Sequence, residues 1–156
     1  MSFRVGIGFD AHALSDGVPL VLGGVRLDHP RGLAGHSDGD VLAHALTDAL
    51  LGAAGLGDIG SLFPSGEARY AGADSVELLR HAYAQVREAG WTLVNADCVL
   101  VGEEPRIAVH RDEMRQRLSG ACGGGEVNVR ATTTDGLGFT GRGEGLAAHA
   151  VALLER

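Results

Sequence analysis

GLAAHAVALLE, residues 145–155, admits two readings, and the architecture of the chain turns on the choice. Ala and Leu are strong helix formers, so propensity favours a helix. Leu146, Ala148, Ala150 and Ala152 also fall on alternate positions, which share one face of an extended chain. Composition leaves both readings open. The segments around it frame the choice. VNVRATT (127–133) alternates as a strand does, and TLVNADCVLV (92–101) reads as another. FRVGIGF (3–9) sets Phe3, Val5, Ile7 and Phe9 against Arg4, Gly6 and Gly8, a further strand with Asp10-Ala11-His12 at its C-terminal end. LVLGGVRL (20–27) reads as a tight hairpin turning at Gly23-Gly24, followed by a loop over 28–39.

Helical patterns separate these strands. The first helix begins near Asp40 and ends between Gly52 and Gly55, with Leu42, Ala45, Leu46, Ala49 and Leu50 as its apolar face. The second has Asp74 as N-cap, Glu77 placed for a capping box, a stripe of Leu78, Leu79, Ala82, Tyr83 and Val86, and Gly90 as its stop. Pro105 opens a third over 106–119, with Ile107, Met114 and Leu118 inward. Residues 55–73 are rich in Gly and contain Pro64, with no steady period; this reads as a long loop of the kind that often carries function. The alternation of strands and helices implies an α/β layer covered on one side. There is no internal repeat and no linker, so residues 1–156 are expected to form a single domain.

Composition narrows the functional classes. The chain has 156 residues, 45% of them hydrophobic and 21% charged, which excludes intrinsic disorder. The net charge is −7 and every positive side chain is Arg, so a diffuse basic surface for nucleic acid or an anionic membrane is not expected. An anionic ligand must be held locally, by Arg, backbone N–H groups or metal ions. Cys98 and Cys122 make neither a metal quartet nor a disulfide framework, and Cys98 alternates into a strand as a core residue. No apolar run is long enough to span a membrane and no signal peptide is evident, so a cytoplasmic location is expected.

Asp10 and His12 are two apart in an extended segment, so both side chains lie on one side. A carboxylate beside an imidazole is the start of a zinc site, which needs a third protein ligand from elsewhere. His44, on the first helix near Asp48, is the better candidate and His36 its rival. In H-S-D-G-D (36–40), either Asp38 or Asp40 caps the helix and Gly39 makes the turn; the same helix start could face a ligand through a metal. Asp58-Ile59-Gly60 reads as a turn or as a phosphate cradle with a carboxylate beside it. ATTTDGLGFTGRGEG (131–145) combines hydroxyls, the hard oxygen of Asp135, Arg142 and glycines that let backbone approach a ligand, without the Gly-Lys-Ser/Thr ending of a Walker A loop. His29, His81, His110 and His149 read as surface or packing residues.

The blocks D-A-H (10–12), H-S-D-G-D (36–40), H-A-L-T-D-A-L-L-G-A (44–53), G-D-I-G-x-L-F-P (57–64) and A-T-T-T-D-x-L-G-F-T-G-R-G-E-G (131–145), in this order, resemble the 2-C-methyl-D-erythritol 2,4-cyclodiphosphate synthase family over essentially the whole chain. The resemblance implies cyclisation of 4-diphosphocytidyl-2-C-methyl-D-erythritol 2-phosphate with release of CMP, a phosphorus–oxygen lyase step of non-mevalonate isoprenoid biosynthesis. It implies a ferredoxin-like α/β (α+β) subunit whose sheet lines the core of a homotrimer with helices outside, and so a strand for 144–155. Active sites would lie between subunits. By resemblance, Asp10, His12 and His44 hold Zn²⁺, and Asp135, where the family often has Glu, holds Mg²⁺ or Mn²⁺ between the α and β phosphates. His36, Ser37, Asp58 and Gly60 match positions at the erythritol and its phosphate. Ala131, Thr132 and Thr133 match the stretch at the cytidine diphosphate, with His36 and Thr133 as positioning groups for catalysis. Gly102, Pro105, Arg106, Ile107 and Ala108 match the cytosine and ribose pocket, with Arg106 where Lys is frequent. Phe9, Phe139 and Arg142 match residues around a central cavity that can hold an isoprenoid diphosphate.

Overall fold

Residues 145–155 form a strand, and its two neighbours explain why. A computed structural model of the chain describes residues 1–64 and 67–156. The strands are β1 (Phe3–Asp16), β2 (Leu20–Leu22), β3 (Val25–Leu27), β4 (Arg31–Leu33), β5 (Thr92–Val101), β6 (Glu126–Thr132) and β7 (Gly145–Glu155). The helices are α1 (Val41–Ala54), α2 (Ile59–Leu62), α3 (Ser75–Glu88), α4 (Arg111–Ala121) and α5 (Gly138–Gly141). The main sheet runs β4-β1-β7-β5-β6, and β2 with β3 forms a separate hairpin. β7 therefore lies between β1 and β5 and pairs antiparallel with both, from Phe3↔Glu155 to Ala13↔Gly145 on one side and Thr92↔Glu155 to Val101↔Ala147 on the other. A helix over 145–155 would leave β1 over residues 3–13 and one edge of β5 without partners for their backbone groups, a far larger cost than the propensity of a few Ala residues. Leu146, Ala148, Ala150, Ala152 and Leu154 are buried on the helix-covered face, while His149 and Val151 are exposed on the other.

The expected α/β layer, helices on one side of a mixed sheet, is what the chain forms. The ferredoxin-like order is not. That order needs β-α-β-β-α-β, whereas the main sheet here is built as β1-α1-β5-α4-β6-β7, apart from the short β4 and the further helices. The physical difference is that the last strand inserts between β1 and β5, and that α4 crosses over between the parallel, adjacent strands β5 and β6.

Several local boundaries also move. β1 continues to Asp16, because Leu14–Asp16 gain a partner in β4; Asp10 and His12 thus lie inside a strand, and the stretch read as loop over 28–39 contains β4. α1 follows expectation, capped by Asp40 and stopped by Gly55 in the left-handed conformation (φ 72°). At α3, Asp74 accepts from the Val76 N–H at 2.9 Å, but Glu77 turns to Arg80 and does not return the bond. The reciprocal capping box occurs at α2, between Asp58 and Ser61. α4 starts at Arg111, later than expected, after a single 3₁₀ turn over Ala108–His110; Ile107, Met114 and Leu118 are buried as read. The segment 55–73 holds α2 and a 3₁₀ turn at Ala68–Tyr70, and residues 65–66 of that expected loop lie outside the described residues.

The hairpin turn at Gly23-Gly24 adopts positive φ at both residues (57° and 77°), as a tight two-residue turn requires. Cys98 and Cys122 are both fully buried in the core, and burial pushes each thiol up to about 12. The face of the sheet away from the helices is bare and apolar along β1: Phe3, Val5, Ile7 and Phe9 are 52%, 70%, 72% and 52% exposed.

Candidate active site

The strand β1 carries Gly6, Gly8, Asp10 and His12 on alternate positions, hence on one face, and that face meets α1. At the two glycines the contact is backbone to backbone. A Cβ on Gly6 would lie 2.0 Å from the Ala49 carbonyl oxygen, and one on Gly8 would lie 1.8 Å from that of Ala45. No other residue type permits so close an approach. Farther along the strand come the two polar side chains, and on α1, next to Ala45, stands His44. Packing on glycine thus delivers an imidazole from α1 to a carboxylate and an imidazole from β1.

The three groups converge. His44 Nδ1 lies 2.9 Å and His12 Nε2 3.0 Å from Asp10 Oδ2. One donor atom from each residue falls within 4.8 Å of the others. The two rings stand edge to face with centroids 5.7 Å apart. Two imidazoles and one carboxylate are a donor set that zinc accepts. A further observation supports the fit: His12 Nε2 is buried yet makes no hydrogen bond, so its approach to Asp10 lacks hydrogen-bond geometry. A buried polar atom without a partner is costly unless something else binds it. Burial alone would raise the Asp10 carboxyl, but the adjoining imidazoles of His12 and His44 outweigh it and hold the group down at about 2. Burial likewise opposes a charge on His44, and the Asp10 carboxylate overcomes it and raises that imidazole above its ordinary value. Asp10 is therefore ionised and ready to act as a ligand across the working pH range.

His44, not His36, is the third member. His36 sits on the exposed rim, its Nε2 3.1 Å from the Glu67 carbonyl oxygen. Of the two candidate caps in the polar run, Asp40 is the cap. It is fully buried and accepts from the N–H groups of Gly23 (2.9 Å), Gly24 (2.8 Å) and Ala43 (3.1 Å), with burial pushing its carboxyl up to about 6. Asp40 thereby ties the α1 start to the β2–β3 hairpin.

A cleft of about 250 Å³ opens over the trio. His36, Ser37 and Gly60 add polar and backbone groups to it, while Ile59, Phe63, Tyr70 and Leu78 form an apolar wall. Phe63 stacks edge-on against Tyr70 at 5.3 Å and His81 at 5.6 Å. The Asp48 carboxylate accepts from the Ile59 N–H at 2.7 Å and so fixes α2 beside α1. Asp58 caps α2: the Ser61 N–H and then its hydroxyl hold the carboxyl below its ordinary value. The aromatic wall and Ser75, which meets His44 from the start of α3, carry no motif in the sequence.

The remaining expected residues gather elsewhere. Gly102 N–H donates to the Thr132 carbonyl at 3.1 Å and Gly136 N–H to Glu103 Oε1 at 2.8 Å, so 102–108 and 131–136 adjoin at the ends of β5 and β6. Thr133 donates to Asp135 Oδ1 at 3.2 Å; Asp135 has φ 53°. Ala131, Thr132, Thr133, Arg106 and Ala108 are exposed there, and Pro105 is half-buried. Ile107 is buried in the core, so its side chain does not line an open pocket. Arg142 pairs with Glu144 at 2.9 Å, and Phe139 is 41% exposed beside it in sequence. Pairing aligns Ala11, Ala147, Val101 and Thr132 in one row across the sheet. Three strand spacings separate the ends of that row, about 14 Å. Among the described residues, none of 102–108 or 131–135 lines the cleft of Asp10, His12 and His44.

The YgbB family model matches residues 3–155. The 2-C-methyl-D-erythritol 2,4-cyclodiphosphate synthase of Moorella thermoacetica is 58% identical over 153 residues, covering 97% of this chain and 94% of that one. A structure of a 2C-methyl-D-erythritol-2,4-cyclodiphosphate synthase with CDP bound superposes with a TM-score of 0.88 at 40% identity, over 97% of this chain and 100% of that one. The bifunctional IspDF of Campylobacter jejuni gives a TM-score of 0.93 at 44% identity; the match covers 98% of this chain but 42% of that longer protein. With the family model matched over nearly the whole chain and relatives this similar, the chain belongs to the YgbB family of 2-C-methyl-D-erythritol 2,4-cyclodiphosphate synthases.

Proposed function

We propose that this chain, acting over 1–156 as one catalytic domain in the cytosol, cyclises 4-diphosphocytidyl-2-C-methyl-D-erythritol 2-phosphate to the 2,4-cyclodiphosphate. An oxygen of the 2-phosphate attacks the β-phosphorus; the bond from that phosphorus to the bridging oxygen breaks, and CMP leaves with the electron pair. The convergence of Asp10, His12 and His44 carries this reading. A zinc ion held by these three and a Mg²⁺ or Mn²⁺ held at Asp135 would neutralise charge on phosphates that otherwise repel. The chain's own groups position the reactants. His36 and Ser37 lie on the cleft beside the trio, where they can donate to a phosphate oxygen. Asp58 and Gly60 contact the methylerythritol. Thr132 and Thr133 present hydroxyls to the diphosphate, and Gly102 to Ala108 the cytidine pocket. No general base is needed, since a phosphate monoester has a second pKa of about 6 and is already anionic. Alignment within one bound substrate can supply up to about 7–11 kcal/mol of the barrier.

We infer further that the active unit is a homotrimer. The apolar row of Phe3, Val5, Ile7 and Phe9 needs cover, and within one chain none of 102–108 or 131–135 lines the Asp10 cleft. A neighbouring copy that brings its 102–108 and 131–135 segments to the Asp10 cleft would complete each site. Phe9, Phe139 and Arg142 would then surround a central cavity suited to an isoprenoid diphosphate.

Incubation of the purified protein with the cytidyl substrate and Mg²⁺ should yield CMP and cyclic product together, with no oxygen taken from isotope-labelled water. Incorporation of solvent oxygen would instead indicate a zinc hydrolase. His44→Ala should lose bound zinc and CMP release; full retention of both removes His44 from the site.

A further inference from the structure

Asp38 belongs to the polar run 36–40, yet it neither caps α1 nor joins the metal trio. Its partners lie on α3. Asp38 Oδ2 accepts from the Ser75 backbone N–H at 2.9 Å, and Oδ1 accepts from the Ser75 hydroxyl and from the Asp40 N–H. Ser75 is fully buried and opens α3. Its Oγ lies 2.7 Å from His44 Nε2, and Ser37 Oγ approaches the same nitrogen at 3.0 Å. The other ring nitrogen, Nδ1, faces Asp10.

These contacts fix proton positions. A carboxylate only accepts, so the single hydrogen of the Ser75 hydroxyl points to Asp38. The Ser75 oxygen can then only accept from His44, and Nε2 must carry the hydrogen. A neutral imidazole protonated at Nε2 keeps its lone pair at Nδ1, the atom that converges with Asp10 and His12. We propose that Ser75 and Asp38 are positioning residues of the metal site: Asp38 orients the Ser75 hydroxyl, and that hydroxyl fixes the His44 tautomer and ring with Nδ1 turned to the cation. The proposal rests on Asp10, His12 and His44 being the ligands, and it adds two residues that touch neither metal nor substrate. Outer hydrogen-bond partners of this kind typically affect metal affinity 10–100-fold.

Zinc affinity is measured by competition with a chromogenic chelator in wild type, Ser75→Ala, Asp38→Asn and Asp74→Ala. Asp74 caps the same helix through the Val76 N–H and does not contact His44. Ser75→Ala should weaken zinc binding about 10–100-fold and Asp38→Asn should weaken it too, whereas Asp74→Ala should lower the melting temperature and leave zinc affinity alone. Wild-type affinity in Ser75→Ala overturns the proposal, as does an equal loss in Asp74→Ala. Should Ser75→Ala fail to fold, the wild type decides by itself. In cadmium-loaded protein with ¹⁵N-labelled histidine, metal–nitrogen coupling at His44 Nδ1 with a hydrogen on Nε2 is expected, and coupling at Nε2 refutes the arrangement. If the wild type takes up no zinc, the ligand assignment fails and this proposal with it; an unweakened Ser75→Ala sinks this proposal alone.

Discussion

Replacing Gly8 by Ala tests whether backbone contact between β1 and α1 builds the metal site. The new Cβ would lie 1.8 Å from the Ala45 oxygen, 2.8 Å from its carbonyl carbon and 2.9 Å from the Ala49 nitrogen. All three atoms are backbone, so no side chain can swing aside. Ordinary contact begins near 3.4 Å, so α1 or β1 must move by about 1.6 Å. Overpacking of a core costs typically 1–3 kcal/mol and occasionally more, and a displaced helix belongs at the top of that range, about 3 kcal/mol. The same displacement moves His44, next to Ala45, relative to Asp10 and His12. Metal–ligand distances tolerate only about 0.2 Å, so zinc stoichiometry at fixed free zinc should fall along with stability. The assay pairs denaturant unfolding in chelator with zinc content of the folded protein. Gly52→Ala on the same helix is the control. Nothing lies within 4 Å of its added Cβ, and it should gain up to about 1 kcal/mol from helix propensity while holding zinc normally. A Gly8→Ala protein within about 0.5 kcal/mol of wild type and fully loaded with zinc would refute the claim that glycine packing sets the site.

Asp40 provides a pH test. Its folded carboxyl is raised from 3.8 to about 6, so the native state holds that proton more tightly than the unfolded chain does. This contribution to stability is complete below about pH 4 and is lost as the pH rises through about 6, a change of about 3 kcal/mol. Asp40→Asn should remove that part of the pH dependence in chelator-treated protein; an unchanged slope between pH 4 and 7 contradicts it. Asp10, held at about 2, acts in the opposite sense and only as the pH falls below about 4. Cys98 and Cys122, buried with thiols pushed up to about 12, should resist alkylation in the native protein and react on unfolding; rapid labelling of folded protein counts against their core placement. Ile7→Asp, on the bare face of β1, should dissociate the proposed trimer in sedimentation while leaving the monomer folded; unchanged association excludes that face from the interface.

Much of the site was legible early because its chemistry is local. Asp10 and His12 share a face through a spacing of two, whatever surrounds them, and α1 announced itself by its apolar stripe with a cap and a glycine stop. His44 against His36 was not decidable from spacing. His44 meets Asp10 across 34 positions of sequence, and that distance closes only because Gly6 and Gly8 let α1 settle on β1. Asp58 could be read as a turn or as a ligand, and it caps α2, since a short polar side chain before a helix start serves either purpose. Ser75 had no signature at all: its role comes from α3 turning its first residue toward a loop that carries Asp38.

What the sequence by itself determined is therefore the kinds of group available, their order along the chain, and where helices begin and end. Those follow from propensity, periodicity and capping, which act over a few residues. The tertiary structure alone decided that 145–155 is a strand and that its insertion departs from a ferredoxin-like order. It also decided which histidine completes the trio, and that Asp135 does not line the same cleft. Each of these depends on pairing and packing between segments far apart in sequence. There a full ladder of hydrogen bonds on two sides, or one glycine-sized gap, outweighs the preference of any single residue.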